Sequence, residues 1–441
     1  MQEQLHKHET AAFPPRYWWR RRIIACYLLL IAAVLVLRWR VGAVIQRRLD
    51  AQIQRLRARG EPVTIGDFVE PVVADEENAA LCLRRAGEAL VKAKETPEYE
   101  ADLDSLPASL PLSAVDVALM QKLMVRHTDV LGLARSARGR PKVAWGMKME
   151  SPAIGVLLPW ISSQRELSNL LRAAALYAHQ TGDHAAAVEY IRDMLTISRA
   201  VDRSPVLITH LVAISVSTNA TNAAMSISPT LRVRGDVKAA TPEQVRALIT
   251  EMLEDQDSAG AMVRAMQGER MFQIDVVTCI ANGRLNLADL SWPRRPANAG
   301  DMVGNAAARM VRPLLINEAV QMMSWSTQFV EACREGDNVS AAAKFPPPVF
   351  RNYRQPLLSL IVPTMGSAVS RHFGGIYQSR KAAIEVAERL YEVDHGRPPR
   401  RLEDLVPDYL PKVPQDPVTG KGAAMPFTPA TQPTTAPAQP Q

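Results

Sequence analysis

A chain of 441 residues, 47% hydrophobic and 22% charged, has a globular balance that excludes a wholly disordered, collagen-like or polytopic membrane protein. Aromatic residues make up only 5%, so the apolar share rests on Ala, Leu, Val, Ile and 17 Met, a mixture suited to helix-on-helix packing. The net charge of +7 is unevenly placed: residues 1–60 hold 12 Lys and Arg against 3 acidic residues, so the basic excess flanks an apolar segment and does not describe a nucleic-acid surface.

Residues 1–22 form a basic tail. Ile23 to Leu37 is an uncharged run of 15 residues, bracketed by Arg20, Arg21 and Arg22 and by Arg38 and Arg40. It spans roughly 22 Å, short of the ~30 Å hydrocarbon core. Tyr17, Trp18, Trp19 and Trp39 stand where an aromatic belt belongs and the arginines can snorkel, so residues 17–45 are expected to contact lipid, with the anchor itself at 23–45. No small-x-small site follows the run, which favours an uncleaved anchor over a signal peptide. Basic residues are nearly balanced across it. A short tail before a signal-anchor usually stays in the cytoplasm, which points to a single-pass inner-membrane protein with its body on the periplasmic side.

Val44, Ile45, Leu49, Ile53 and Leu56 recur at helical spacing and Gly60-Glu61-Pro62 stops the pattern, so residues 46–60 read as an amphipathic stalk. The stalk either lies on acidic headgroups or simply continues the anchor helix. A helical body is expected over 61–380. Asp75-Glu76-Glu77-Asn78 reads as the capped start of a helix carrying Leu83, Ala86 and Leu90, in preference to a cation site. Residues 95–113 are a loop, and one helix is expected over 114–138. The stretch Gly139 to Trp160, broken by three prolines, holds Trp145 and Trp160 as core plugs.

Residues 168–200 carry the clearest local signal. Leu170, Leu171, Ala174, Ala175 and Ala178 mark one helix, Ala186, Ala187, Tyr190, Ile191 and Met194 a second, and Thr181, Gly182 and Asp183 the turn between them. With Tyr177, Gly182-Asp183, Ala186 and Tyr190 in place, the segment resembles one tetratricopeptide-type (TPR) hairpin. No second copy follows at a 34-residue period, so an irregular helical array is expected. His179 and His184 bracket the turn. They are read as surface groups, with no metal.

Pro205 to Ser226 is apolar, yet His210, Ser215, Ser217, Thr218 and Asn219 argue against a second span. Thr241-Pro242-Glu243-Gln244 is a capping-box start, and the helix it opens is expected to run through Val245, Leu248, Ile249, Met252 and Met266 towards Val277. Glu269-Arg270 within it reads as an ion pair or interhelical hydrogen bond. Beyond a Pro, Gly and Asn-rich connection over 287–312, helices are expected near 314–335 and 377–395, with the apolar piece Leu357 to Val369 buried or broken at Pro363. His395 ends a helix, where a cation suits the last carbonyls. Cys26, Cys82, Cys279 and Cys333 are widely spaced and read as free thiols. The tail 428–441 is expected to be disordered.

The segment 381–427, a C-terminal helix and small extended element, resembles the C-terminal region of type II secretion major pseudopilins. Tyr391, Gly396, Pro399, Leu402, Leu405, Val406, Leu410, Pro414, Asp416, Pro417 and Gly420 carry the likeness, and Val418 stands where that family has an aromatic. The order of elements in the whole chain resembles single-span, helix-rich envelope proteins of planctomycete-type bacteria. These resemblances imply architecture and location and assign no reaction.

Gly-x-Gly-x-x-Gly, the Walker loop, His-Glu-x-x-His, Gly-x-Ser-x-Gly and Ser-x-x-Lys are all absent, so no catalytic residue and no cofactor is assigned. The leading expectation is a mainly α, membrane-anchored, non-catalytic scaffold that presents a helical surface to another envelope protein. The alternatives are an envelope hydrolase or glycan-acting enzyme with an unrecognised carboxylate site, and an accessory component of a type II secretion or pilus-like assembly.

Overall fold

A computed structural model describes residues 17–94, 102–156, 158–254, 258–286, 298–346, 356–420 and 422–427; the expected disordered tail lies outside them. Among the described residues 69% are helical, in thirteen α-helices, and there is no strand. They are α1 (Trp18–Arg57), α2 (Ala79–Lys94), α3 (Ala114–Arg126), α4 (Thr128–Ala137), α5 (Ile161–Gln180), α6 (His184–Val201), α7 (Leu207–Ile227), α8 (Pro242–Leu253), α9 (Ser258–Ala281), α10 (Ala299–Met310), α11 (Arg312–Ala332), α12 (Asn338–Ala343) and α13 (Pro356–His395).

Two cores organise these helices. The larger gathers α2 to α8 with the C-terminal half of α13, through side chains such as Leu83, Leu90, Leu171, Ile191, Val216, Leu248 and Leu390. The smaller gathers α9, α11, α12 and the middle of α13, through Met262, Met266, Met322, Phe329, Val369 and Phe373. Small residues let the helices approach. At Gly268 a Cβ would lie 1.6 Å from the Pro205 carbonyl oxygen, so only glycine lets α9 cross the α6–α7 connection.

The connection expected over 287–312 contains a helix, α10, opened by an Asn298–Asp301 capping box. Three other boundaries depart from expectation, each because packing outweighs local pattern. The helix expected over 114–138 is two, broken at His127, whose φ of −106° and ψ of 22° are not helical. The bend turns Val130, Leu131 and Ala134 towards α2. The helix opened by the Thr241 capping box ends at Leu253, and α9 begins separately, because α8 belongs to the larger core and α9 to the smaller. Of the two alternatives for the piece Leu357 to Val369, buried or broken at Pro363, the break is absent: the piece is the start of α13, continuous with the helix expected at 377–395, and it is held by the burial of Met365, Ala368, Val369 and Phe373.

Among the described residues one helix, α1, is long and apolar enough to cross a membrane. Its first turns are exposed throughout. The stalk continues the same helix, and its apolar face meets protein: Ile45, Leu49 and Leu56 pack on Ile274, Ile316 and Met323. The partner is chiefly α11, and the two run parallel at nearly constant register. Arg38 donates to the Arg309 carbonyl at 2.8 Å, Gln52 to Ser324 Oγ at 3.0 Å and Arg334 to Glu61 at 3.1 Å, offsets of 271, 272 and 273 residues.

The pseudopilin-like segment is part of the larger core, to which Leu402, Leu405, Tyr409, Leu410 and Met425 contribute. Gly396 turns at φ +69°, and the Asp416 carboxylate accepts from the backbone of Val418 and Thr419 at 2.7 and 3.1 Å. Its extended character is limited to one antiparallel bridge, Gln415 to Ala424. Cys82, Cys279 and Cys333 are buried free thiols, and burial pushes the Cys333 thiol up to about 12.

Candidate functional site

A cleft of about 910 Å³ lies between α2 and the irregular stretch that precedes α5. Its walls include Arg84, Glu88, Lys92, Met147, Lys148 and Glu150 over a floor that reaches Trp145 and Trp160. The two indoles stack with centroids 3.8 Å apart, and Trp145 Nε1 donates to the Ala200 carbonyl. They are core residues as expected, and they also floor the cleft.

What makes that floor stiff is the way residues 142–147 satisfy their backbone, through one parallel bridge between Lys142 and Asn78 and, beyond it, through side chains. The Asn78 side chain extends the bridge: its Oδ1 accepts from Ala144 N at 3.0 Å and its Nδ2 donates to Ala144 O at 2.9 Å. Ala79 N–H donates to Lys142 O, and Lys142 N–H to Glu77 O. The Glu70 carboxylate accepts from the backbone of Trp145 and, at 2.7 Å, Met147, while Arg84 donates to the Trp145 carbonyl. Asn78 also accepts from Ala80 N–H, so the expected cap of α2 is real and is the smaller part of that side chain's role.

The turn assigned from sequence has the expected geometry. Thr181 closes α5, Gly182 adopts φ +87°, and Asp183 caps α6 by accepting from Ala186 N–H at 2.9 Å. The flanking histidines do not lie on the surface. His179 and His184 are buried because Ser228 to Ala240 folds over the turn, bringing Thr230 and Arg232 onto the rings. The Nδ1 atoms lie 3.1 Å apart, His179 Nε2 lies 2.8 Å from Thr230 Oγ1, and Arg232 N–H donates to His184 Nδ1 at 3.4 Å. One tautomer set satisfies all three contacts: His179 Nδ1–H donates to His184 Nδ1 and Thr230 donates to His179 Nε2. Burial first, then His184 and Arg232, holds His179 down at about 4; burial and Arg232 also lower His184. No three His, Cys, Asp or Glu side chains among the described residues converge as a metal set.

A second cleft of about 490 Å³, bordered by α6, α7, α8, α9 and α13, contains a chain that sequence reasoning missed. His210 Nδ1 donates to Asp202 Oδ1 at 2.6 Å, and His210 Nε2 lies 3.2 Å from His372 Nδ1. With His210 donating to the carboxylate, its Nε2 accepts from His372 Nδ1–H. Burial, reinforced by His210, pushes His372 down to about 3. Arg199, Glu251, Ser217 and Ser379 share the cleft. Nothing local signals this arrangement, because Asp202 and His210 straddle a turn and His372 is 162 residues beyond His210.

Glu269 and Arg270 do not pair with each other. Glu269 accepts from Gln273 one turn on, and Arg270, fully buried, reaches Glu61 at 2.9 Å, Pro62 O at 3.1 Å and Thr327 Oγ1 at 3.1 Å. Arg270 thus ties the end of α1 to α9 and α11. His395 ends α13, stacked on Tyr391 with its Nδ1 3.1 Å from the Tyr391 carbonyl.

Comparison with known protein families, curated proteins and solved structures finds no match.

Proposed function

We propose that this protein is a membrane-anchored, non-catalytic helical module of the cell envelope that holds an extended segment of a partner protein in the tryptophan-floored cleft. The observation that carries this reading is the immobilised stretch 142–147, whose backbone is fixed by Glu70, Asn78 and Arg84 before any ligand arrives. A cleft fixed in advance loses little entropy on binding, and its mixed Lys, Arg and Glu rim suits a peptide. In this reading α1 crosses the inner membrane once, the body faces the periplasm, and the pseudopilin-like terminus suggests a secretion or pilus-like assembly as the source of the partner. A photo-crosslinker placed at Lys148 in native membranes should form a discrete protein adduct that a control at Val237 does not form, and Lys92→Glu should weaken it. Equal labelling from both positions, or none from Lys148, would sink the proposal.

The Asp202–His210–His372 chain favours a second reading, an enzyme using the imidazoles for proton transfer. Full-length protein would then turn over glycan or ester substrates, and Asp202→Asn would lower turnover more than it lowers melting temperature. Turnover insensitive to that change, or no turnover, rejects it.

A further inference from the structure

The outward face of α10 is built the wrong way round for water. Met302, Val303 and Met310 are 72%, 70% and 70% exposed, and Ala306 and Ala307 between them are exposed as well. These positions recur at i, i+1, i+4, i+5 and i+8, so they form one continuous apolar stripe, edged at its C-terminal end by the exposed Arg309 at i+7. The inward side carries the polarity. Asp301 is buried in a capping box with Asn298, and Asn305 bonds Asn286 at 3.1 Å. Leu314, 66% exposed in the first turn of α11, extends the stripe.

The place of this stripe identifies what covers it. The Arg38 guanidinium donates to the Arg309 carbonyl at the end of α10, and a Cβ on Gly42 would meet Pro313 at 3.7 Å. Arg38 is the residue that closes the uncharged run of α1. The C-terminal end of α10 therefore stands level with the point where α1 leaves the hydrocarbon. Arg38 and Arg309 meet at this junction, with Arg40 and Arg312 two and three residues from them in sequence, a cationic margin that complements acidic headgroups. An apolar stripe beside a span, with cations at the same level, is the pattern of a helix lying in the bilayer interface.

We propose that α10 is a second, monotopic membrane contact, lying in the headgroup region with Met302, Val303, Met310 and Leu314 dipping towards the acyl chains. The proposal rests on the reading that α1 spans the bilayer. Full-length protein with Cys26→Ser, its other thiols being buried, takes single cysteines at Met302, Met310, Leu30 or Val237, each carrying an environment-sensitive fluorophore. The proteins are reconstituted into phosphatidylcholine–phosphatidylglycerol vesicles and exposed to a spin-labelled lipid or to aqueous iodide. Labels at 302 and 310 should shift to the blue, lose fluorescence to the spin-labelled lipid and resist iodide, as Leu30 does, whereas Val237, 99% exposed, should respond to iodide alone. If 302 and 310 behave like Val237 while Leu30 is quenched by lipid, the α10 contact is wrong and the span stands. If Leu30 is not quenched, the span fails and the proposal with it. Shielding of 302 and 310 from both quenchers would mean that a second copy or another protein covers the stripe, which also overturns the proposal.

Discussion

His179 and His184 meet at the α5–α6 turn, and His210 and His372 meet where α7 crosses α13, so the molecule sets the same two rings in two buried surroundings. Around the first pair stand a hydroxyl, a backbone N–H and the Arg232 guanidinium; the Asp183 and Asp236 carboxylates act on His184 without hydrogen-bonding either ring, and burial and Arg232 outweigh them. The second pair ends on the Asp202 carboxylate, at the wall of a cleft. Burial is common to both. The group at the end of each chain separates a structural pair from one equipped to move a proton, so partner chemistry is the better guide to function than depth.

The largest test of that contrast is His372→Ala. It leaves His210 Nε2 without its donor and opens a void between α7 and α13, at a cost of about 2–4 kcal/mol in thermal unfolding. A near-neutral change would show that the chain does not hold the helices together. At the other pair, Gly182→Val forces a β-branched residue to φ +87° beside Arg232, which lies 3.2 Å from the position of a Cβ, and costs about 1–3 kcal/mol. Loss of the turn should disturb His179 and His184 and leave the ring signals of His210 and His372 unchanged in NMR spectra.

Acid titration sharpens the comparison further. A histidine whose folded value is depressed binds fewer protons folded than unfolded, so stability rises with pH across the gap. For His179 the contribution is complete above about pH 6.5 and is lost as pH falls towards about 4, with a slope of about 1.4 kcal/mol per pH unit. His372 follows the same sign with its window reaching down to about 3. His179→Gln should remove slope only in the upper window, and His372→Gln should remove it through the lower one as well. Denaturant midpoints measured from pH 7 to pH 3 decide the matter; identical profiles for the two variants would mean that the pairs are not distinct. The smallest effect is expected from Asp183→Ala, which removes an N-cap and costs about 1 kcal/mol by thermal melt; because the Asp183 carboxylate also acts on His184, only the profile of the His179–His184 pair should move.

Features written within a few residues were legible before the fold was known. The capping box Thr241 to Gln244, the turn at Gly182 and the apolar run of α1 each depend on neighbours in sequence, and each has the expected local geometry. Features that need a distant partner were not. The burial of His179 and His184 depends on a segment some 50 residues away, Arg270 finds Glu61 across 209 residues, and the clamp at Trp145 draws on Glu70 and Asn78. The break at His127 has neither glycine nor proline to announce it, since the demand for it comes from α2. At Pro363 the local pattern left burial and a break both open, and the packing of the turns that follow decides for burial in a continuous helix.

The unbroken passage of α1 into its parallel partnership with α11 has a mechanical consequence. If α1 spans a bilayer as proposed, a flexible tether would let the body swivel freely over it, whereas a helix of 40 residues without a hinge, docked along its last turns, would make the body a rigid extension of the span. Any tilt of the span is then a rotation of the whole body, with the cleft carried along an arc. If α1 spans a bilayer as proposed, its uncharged run of about 22 Å is shorter than a ~30 Å hydrocarbon layer, a mismatch that favours an upright helix and a locally thinned bilayer. In that case the docked helix, and not a tether, sets the height and angle at which the cleft meets its surroundings.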